Sequence, residues 1–294
     1  MIKEYVYHFS AENSSVKNVK KGDTVSFKTL DCFSNQVRSE EQLITSIDFN
    51  KVNPATGPVF VEDTKAGDIL VVDVLEIKVG DVGFISTLPE TGPLFEEDGL
   101  RTKKVPVVDN HIVFNDVRIP ANPMIGVLGV APKKGSVPCG LPGSHGGNMD
   151  CNKIIEKSRV YFPVNVPGAL FQLGDLHASM GDGEICGAGV EIPGEVTVKL
   201  DVIKDFQLEW PVVETEDMWY AIASDEEFET ALKYSSQQIQ SLICKAYEWD
   251  RTDAYLYMSA VGSFEICQGC KPSAFPAVVR FGVPKVKEKP RLLP

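Results

Sequence analysis

"GDILVVDVLEIKVG", Gly67–Gly80, decides the fold class. After a Gly-Asp turn it runs in an extended pattern: Ile69, Val71, Asp73, Leu75 and Ile77 fall on one face, and Leu70, Val72, Val74 and Glu76 on the other. Successive side chains of a strand point to opposite sides, so the run predicts a strand. "GDTVSFKTLD" (22–31) follows the same plan, and "GEVTVKLDVI" (194–203) is a weaker third case. These fit either a recurring hairpin grammar or a faint internal repeat. "RVYFPVNV" (159–166) and "PAVVRFGVPKV" (276–286) are rich in β-branched and aromatic residues. Pro, Gly, Asn and Asp clusters punctuate the runs at short intervals. The rhythm predicts a mainly β chain with a few helices, built as interleaved sandwich or barrel lobes rather than βαβ units.

One prominent helix is predicted near 225–249. Ser224 and Glu227 have the spacing of a capping box. Phe228, Ala231, Leu232, Ile239, Leu242, Ile243 and Ala246 then follow helical spacing, which marks a core-facing stripe. A shorter helix is predicted from Thr252. The chain reads as a single unit over 1–294, divisible into two β lobes at about 1–125 and 126–294.

The totals exclude several functions. The 294 residues are 43% hydrophobic and 24% charged, ordinary for a soluble globular chain able to bury a core. A net charge of −12 argues against nucleic acid, which needs a cationic face, and against anionic membrane surfaces. No run approaches the ~18 apolar residues of a membrane span. The start, "MIKEYVYHFSAENSS", has neither the apolar region nor the cleavage site of a secretory signal. The 7 cysteines, odd in number and irregular in spacing, read as reduced thiols of a cytoplasmic protein.

Two loops concentrate chemistry. "SHGGNMDC" (144–151) sets His145, Asn148, Asp150 and Cys151 around two glycines, at the end of the longest Gly/Pro-rich loop. It is either a ligand-binding segment or a tight turn whose Asn and Asp satisfy their own backbone. "GDLHASMGDGE" (174–184) places Asp175 and His177 two apart. If extended, both lie on one face and supply a metal with two ligands, or with a histidine and its supporting carboxylate. Glu184 follows a "GDG" turn that points it back toward the same place. The bland alternative is a satisfied half-buried histidine beside a hairpin turn. "CQGC" (267–270) lacks the second pair a structural zinc needs, and reads as small buried residues. A nucleophile elbow, a Walker A loop and an H-E-x-x-H pair are all missing.

Taken together, four stretches resemble the acetamidase/formamidase family: "PVFVEDTKAGDILVVDVLEI" (58–77), "MIGVLGVAP" (124–132), "PGSHGGNMD" (142–150) and "YFPVNVPGALFQLGDLHASMGDGEICGAGVE" (161–191). The resemblance covers nearly the whole chain in order and spacing. It implies a metal-dependent hydrolase of short aliphatic amides, releasing ammonia and a carboxylate, and a homo-oligomer. It implies Asp31, Asp150, Asp175 and His177 as metal ligands, with Glu184, His145 and Asn148 in the catalytic site. Mixed N and O ligands suit Zn²⁺; an all-oxygen subset would suit a second, structural Ca²⁺ or Mg²⁺. Glu184 is then the general base, and the N–H groups of Gly146 and Gly147 are placed to stabilise an oxyanion. Where the family pattern carries Gln after the histidine, this chain has Met180. Two other readings stay open: a non-catalytic metal or small-molecule binder on the same scaffold, and a hydrolase of another linear or cyclic C–N bond.

Overall fold

In the computed structural model, which describes residues 1–294, the Gly67–Gly80 run forms strand Ile69–Val79 inside an eight-stranded antiparallel sheet. The three Gly-led segments lie side by side there: Gly194–Ile203 pairs with Ile69–Val79 on one edge and Thr24–Thr29 on the other. The alternation predicted for Ile69–Val79 fails at one place. Opposite Thr197 and Val198 the register shifts, so Glu76 and Val74 find partners and Leu75 between them does not. Leu75 bulges out to 47% exposure, and Ile77 swings to the face of Leu70, Val72 and Val74. A bulge inserts one residue, and every side chain beyond it changes side.

A second, seven-stranded sheet carries Ala55–Val61, Phe171–His177, Met124–Gly129 and Gly146–Asn148 as neighbours in that order. It packs face to face on the first. The largest core lies between them, with Phe27, Leu70 and Val198 of one sheet against Val59, Ile125 and Phe171 of the other. The rings of Phe27 and Phe171 meet edge-on at 5.9 Å. No sheet closes on itself, so the architecture is a sandwich and not a barrel. Both sheets draw strands from either side of residue 125, and Met124–Gly129 runs across that point.

The outer face of the eight-stranded sheet is covered by helix α1, Phe228–Tyr247, and helix α2, Arg251–Val261. Ile239, Leu242 and Ile243 of α1 and Met258 of α2 bury against Ile69, Val71, Trp219 and Val283. Each such side chain is worth about 1.5–3 kcal/mol when removed from water. The predicted capping box does not form. Strand Met218–Asp225 pairs with Ala277–Pro284 through Ser224 and Asp225, which holds Ser224 in the sheet. The helix entry is stabilised instead by Asp225, whose side chain accepts from the Glu227 N–H at 3.0 Å. Asp250 caps α2, accepting from the N–H groups of Thr252 and Asp253. No helix is long and apolar enough to cross a membrane.

Candidate active site

Strand Phe171–His177 runs through the interior of the seven-stranded sheet, and its last residues carry Asp175 and His177. Its neighbour on one side, Met124–Gly129, pairs onward with Gly146–Asn148, which brings Asn148 and then Asp150 alongside. On the other side of His177 an isolated bridge brings in Glu191. A bridge between Gly183 and Gln268 folds the 181–187 loop onto the end of strand Ser263–Gln268 and seats Glu184. The backbone is left-handed at Asp150 (φ 41°), Asp175 (φ 57°) and Glu184 (φ 44°). The strand is therefore not extended at Asp175, as the same-face argument assumed. Such conformations cost about 1–3 kcal/mol each and persist where the surroundings enforce them.

The result is a buried acidic knot. His177 Nε2 stands 3.1 Å from Glu191 Oε2, 3.5 Å from Asp175 Oδ1 and 3.9 Å from Asp150 Oδ1. None of those three oxygens receives a hydrogen bond. Gln268 Nε2 donates to Asp150 Oδ2 at 2.8 Å and to Glu184 Oε2 at 3.1 Å, joining the two carboxylates. The Gly189 N–H donates to Glu191 Oε1 at 2.9 Å. No lysine or arginine pairs with Asp150, Asp175, Glu184 or Glu191; His177 is the sole basic partner. Burial, with the neighbouring negative charge, drives the Asp150 and Glu184 carboxyls upward and Glu191 to about 8. At His177 burial favours the neutral ring, but the carboxylates of Glu191 and Asp175 overcome it and push the imidazole well up. The knot is short of positive charge, which a cation would supply.

Two sets of donors lie within 4.8 Å of one another: Asp150, His177 and Glu184, and Cys32, Asp175 and Glu191. The spacing around His177 brackets that of metal ligands. Ligands ~2.0–2.2 Å from a tetrahedral zinc stand roughly 3.3–3.6 Å apart, against the 3.1–3.9 Å seen here. Two glycines make the crowding feasible. A Cβ on Gly126 would stand 2.5 Å from Asp150 Oδ1 and 2.6 Å from Asp175 Oδ2, and one on Gly189 would stand 2.5 Å from His177 Nδ1. The carboxylates of the knot floor a cavity of about 90 Å³, walled by Asn148 and Gln268 and roofed by Phe33, Phe49, Val52, Leu88 and Phe275. One water needs ~10–15 Å³, so the cavity takes a molecule of a few heavy atoms.

The acetamidase/formamidase family profile matches residues 7–138 and 136–234. The chain belongs to the acetamidase/formamidase family. Its fold matches that of an acetamidase from Bacillus halodurans with a TM-score of 0.93, at 39% identity and 96% coverage of both chains. A protein described as a recombinant predicted acetamidase/formamidase from Thermoanaerobacter tengcongensis matches with a TM-score of 0.92 at 42% identity, over 96% of this chain and 94% of that one. A formamidase of Methylophilus methylotrophus is 28% identical over 252 residues, 64% of this chain and 61% of that protein. The chain spans a little under two-thirds of the length of such curated relatives, 62% and 61% in two cases.

Of the residues that the family resemblance implied, Asp150, Asp175, Glu184 and Asn148 line one cavity, and His177, outside that lining, stands against the Asp150 and Asp175 carboxylates. Asp31 lies beside them, close enough to feel Asp175, and burial raises its carboxyl to about 6. Its Oδ1 accepts from the Asn35 N–H at 2.6 Å, so it ties down the turn that presents Cys32 and stands outside both donor sets. His145 does not line the cavity; its ring packs edge-on against Phe9 at 4.9 Å. Gly146 and Gly147 sit in a strand paired on both edges, and neither reaches the cavity wall. Met180 is buried away from it as well.

Sequence reasoning gave no role in the site to three residues of the knot, Glu191, Cys32 and Gln268, although Gln268 matches a Gln of a late strand in the family pattern. Glu191 closes the recognised 161–191 block, Cys32 follows Asp31, and Gln268 sits inside "CQGC". In that motif Cys267 faces Arg280 and Cys270 faces Ser273, so the two thiols share no site.

Proposed function

We propose that the chain is a metal-dependent amidohydrolase that cleaves the C–N bond of small linear amides to a carboxylate and ammonia. One observation carries this: three carboxylate oxygens that accept no hydrogen bond converge on one imidazole nitrogen, and their residues line a cavity sized for a small amide. Asp150, Asp175 and Glu191, whose oxygens meet at His177 Nε2, would hold a divalent ion together with that histidine, with Cys32 in reach of Asp175 and Glu191. Nitrogen, oxygen and thiol donors together favour Zn²⁺. Neither donor set is all-oxygen, so nothing here favours Ca²⁺ or Mg²⁺ at a second site. When bound, the ion would polarise the amide carbonyl and acidify a water to a pKa near ~7.

The remaining roles belong to the side chains. A primary amide brings two N–H donors. Asn148 Oδ1 and Gln268 Oε1 are both buried acceptors without a donor, and both residues line the cavity. They orient the NH₂ group and leave an isostere without it facing two unpaired oxygens. Glu184, held by Gln268 Nε2, takes the proton from the attacking water and returns it to the leaving nitrogen. The buried setting that raises its carboxyl suits it to hold that proton between the two steps. The reading carries with it a cytoplasmic location, in keeping with seven free cysteines, and a homo-oligomer, which rests on the resemblance to the family alone.

The test is ammonia release from formamide, acetamide and propionamide by purified protein, before and after chelation and zinc add-back. Release that stops on chelation and returns with zinc supports the reading. Metal-loaded protein that is inert toward every amide refutes it.

A further inference from the structure

We propose that the groove outside the cavity is an acyl-chain subsite, and that the preferred substrates are primary amides with a bulky apolar acyl group, alkyl of about four to six carbons or aryl. This rests on the amidase reading above. The inner cavity of about 90 Å³ shares part of its apolar lining with a larger space outside it. Phe49, Leu88 and Phe275 also line an outer groove of about 590 Å³, which continues over Pro89, Phe95 and Pro272. The three shared side chains form an apolar collar between a polar floor and an apolar trough.

Chemistry sets which part of a substrate passes the collar. The reacting carbonyl must lie at the knot. The nitrogen end is claimed by Asn148 and Gln268 on the inner wall. The acyl substituent is the part left to point outward. Formamide has none, and acetamide's methyl ends at or below the collar, so neither uses the groove.

The groove walls are held in place. The Gly92 N–H donates to both Cys270 O and Pro272 O at 3.0 Å, which ties the 88–92 segment to the 270–275 segment. Lys271 Nζ bonds the Phe275 carbonyl. The Asn53 N–H donates to Cys32 O at 2.7 Å and anchors the segment carrying Phe49. Phe49 is nevertheless 50% exposed, apolar area that an acyl chain would cover. Glu90 is the one charged side chain on the groove, so an acyl chain ending in a carboxylate is disfavoured.

The experiment is a kcat/KM series by ammonia release on the metal-loaded protein: formamide, acetamide, butyramide, hexanamide, benzamide and succinamate. A fully buried methylene is worth about fourfold, and an open groove recovers part of that. Hexanamide is expected to exceed acetamide by about tenfold or more, and succinamate to fall below butyramide. Phe95→Ser, on the half-buried outer wall, should lower the hexanamide-to-acetamide ratio severalfold. Ammonia from both amides with acetamide equal or better overturns the subsite and leaves the amidase reading standing. No ammonia from any member overturns the amidase reading itself.

Discussion

Replacing Gly126 by alanine tests whether the acidic knot is built around a missing side chain. Gly126 lies in strand Met124–Gly129, opposite the carboxylates, and its backbone is not in the left-handed region. Alanine is therefore tolerated conformationally, and its effect is steric. The new Cβ would stand 2.5 Å from Asp150 Oδ1 and 2.6 Å from Asp175 Oδ2, where ordinary contact begins at 3.4 Å. The two carboxylates must then retreat by roughly 3.4 − 2.5 = 0.9 Å and 3.4 − 2.6 = 0.8 Å. Asp150 cannot move freely, because Gln268 holds its other oxygen at 2.8 Å. A misplacement of about 1 Å costs about 10²-fold in rate, and disturbed ligand orientation about 10–100-fold in metal affinity. Overpacking should cost about 1–3 kcal/mol of stability, so the protein stays folded. Ammonia release, metal content by mass spectrometry and urea unfolding report the three effects separately. Gly181→Ala is the control, since its new methyl group would have nothing within 4 Å and its backbone is unrestricted. If Gly126→Ala keeps metal content and kcat/KM within twofold of wild type, the carboxylates are not placed as argued.

Glu184→Gln should retain metal while turnover falls about 10²–10⁴-fold; full activity would remove Glu184 from the proton-transfer role. His145, pushed down to about 4 by burial, gives a pH prediction. The unfolded ring, near its ordinary 6.5, binds a proton that the folded one refuses, so its contribution is full above pH 6.5 and is lost as pH falls toward 4. Relative to His145→Leu, the wild type should lose up to about 3 kcal/mol of unfolding free energy between pH 7 and 4, and a parallel pair of curves would contradict this. Arg280 is fully buried, donates to Asp182 Oδ2 at 2.8 Å and Glu265 Oε2 at 2.7 Å, and faces the thiols of Cys151 and Cys267. Arg280→Ala should cost about 3 kcal/mol in urea denaturation, the low end for a broken buried pair because both carboxylates keep some access to water. A loss below about 1 kcal/mol would show that the pair contributes little.

Local sequence settled much of this protein. Gly194–Ile203 forms one strand over the full predicted run, because its alternation matches two paired edges. Helix α1 needed only its apolar stripe, and the stretches that resemble the family already contain Asp150, Asp175, His177 and Glu184. What the sequence could not show is set by residues far apart in the chain. The bulge at Leu75 depends on how Thr197 and Val198 pair across the sheet. Ser224 looks like a helix cap until Val278 claims it for a strand. Glu191 reaches His177 through a bridge, and Gln268 reaches Asp150 across 118 residues of chain. His145 carries the same local signals as His177, yet one faces Phe9 and the other three carboxylates. Periodicity fixes which way a side chain leaves its own strand; only the pairing of strands and the space left by Gly126 and Gly189 fix what it meets.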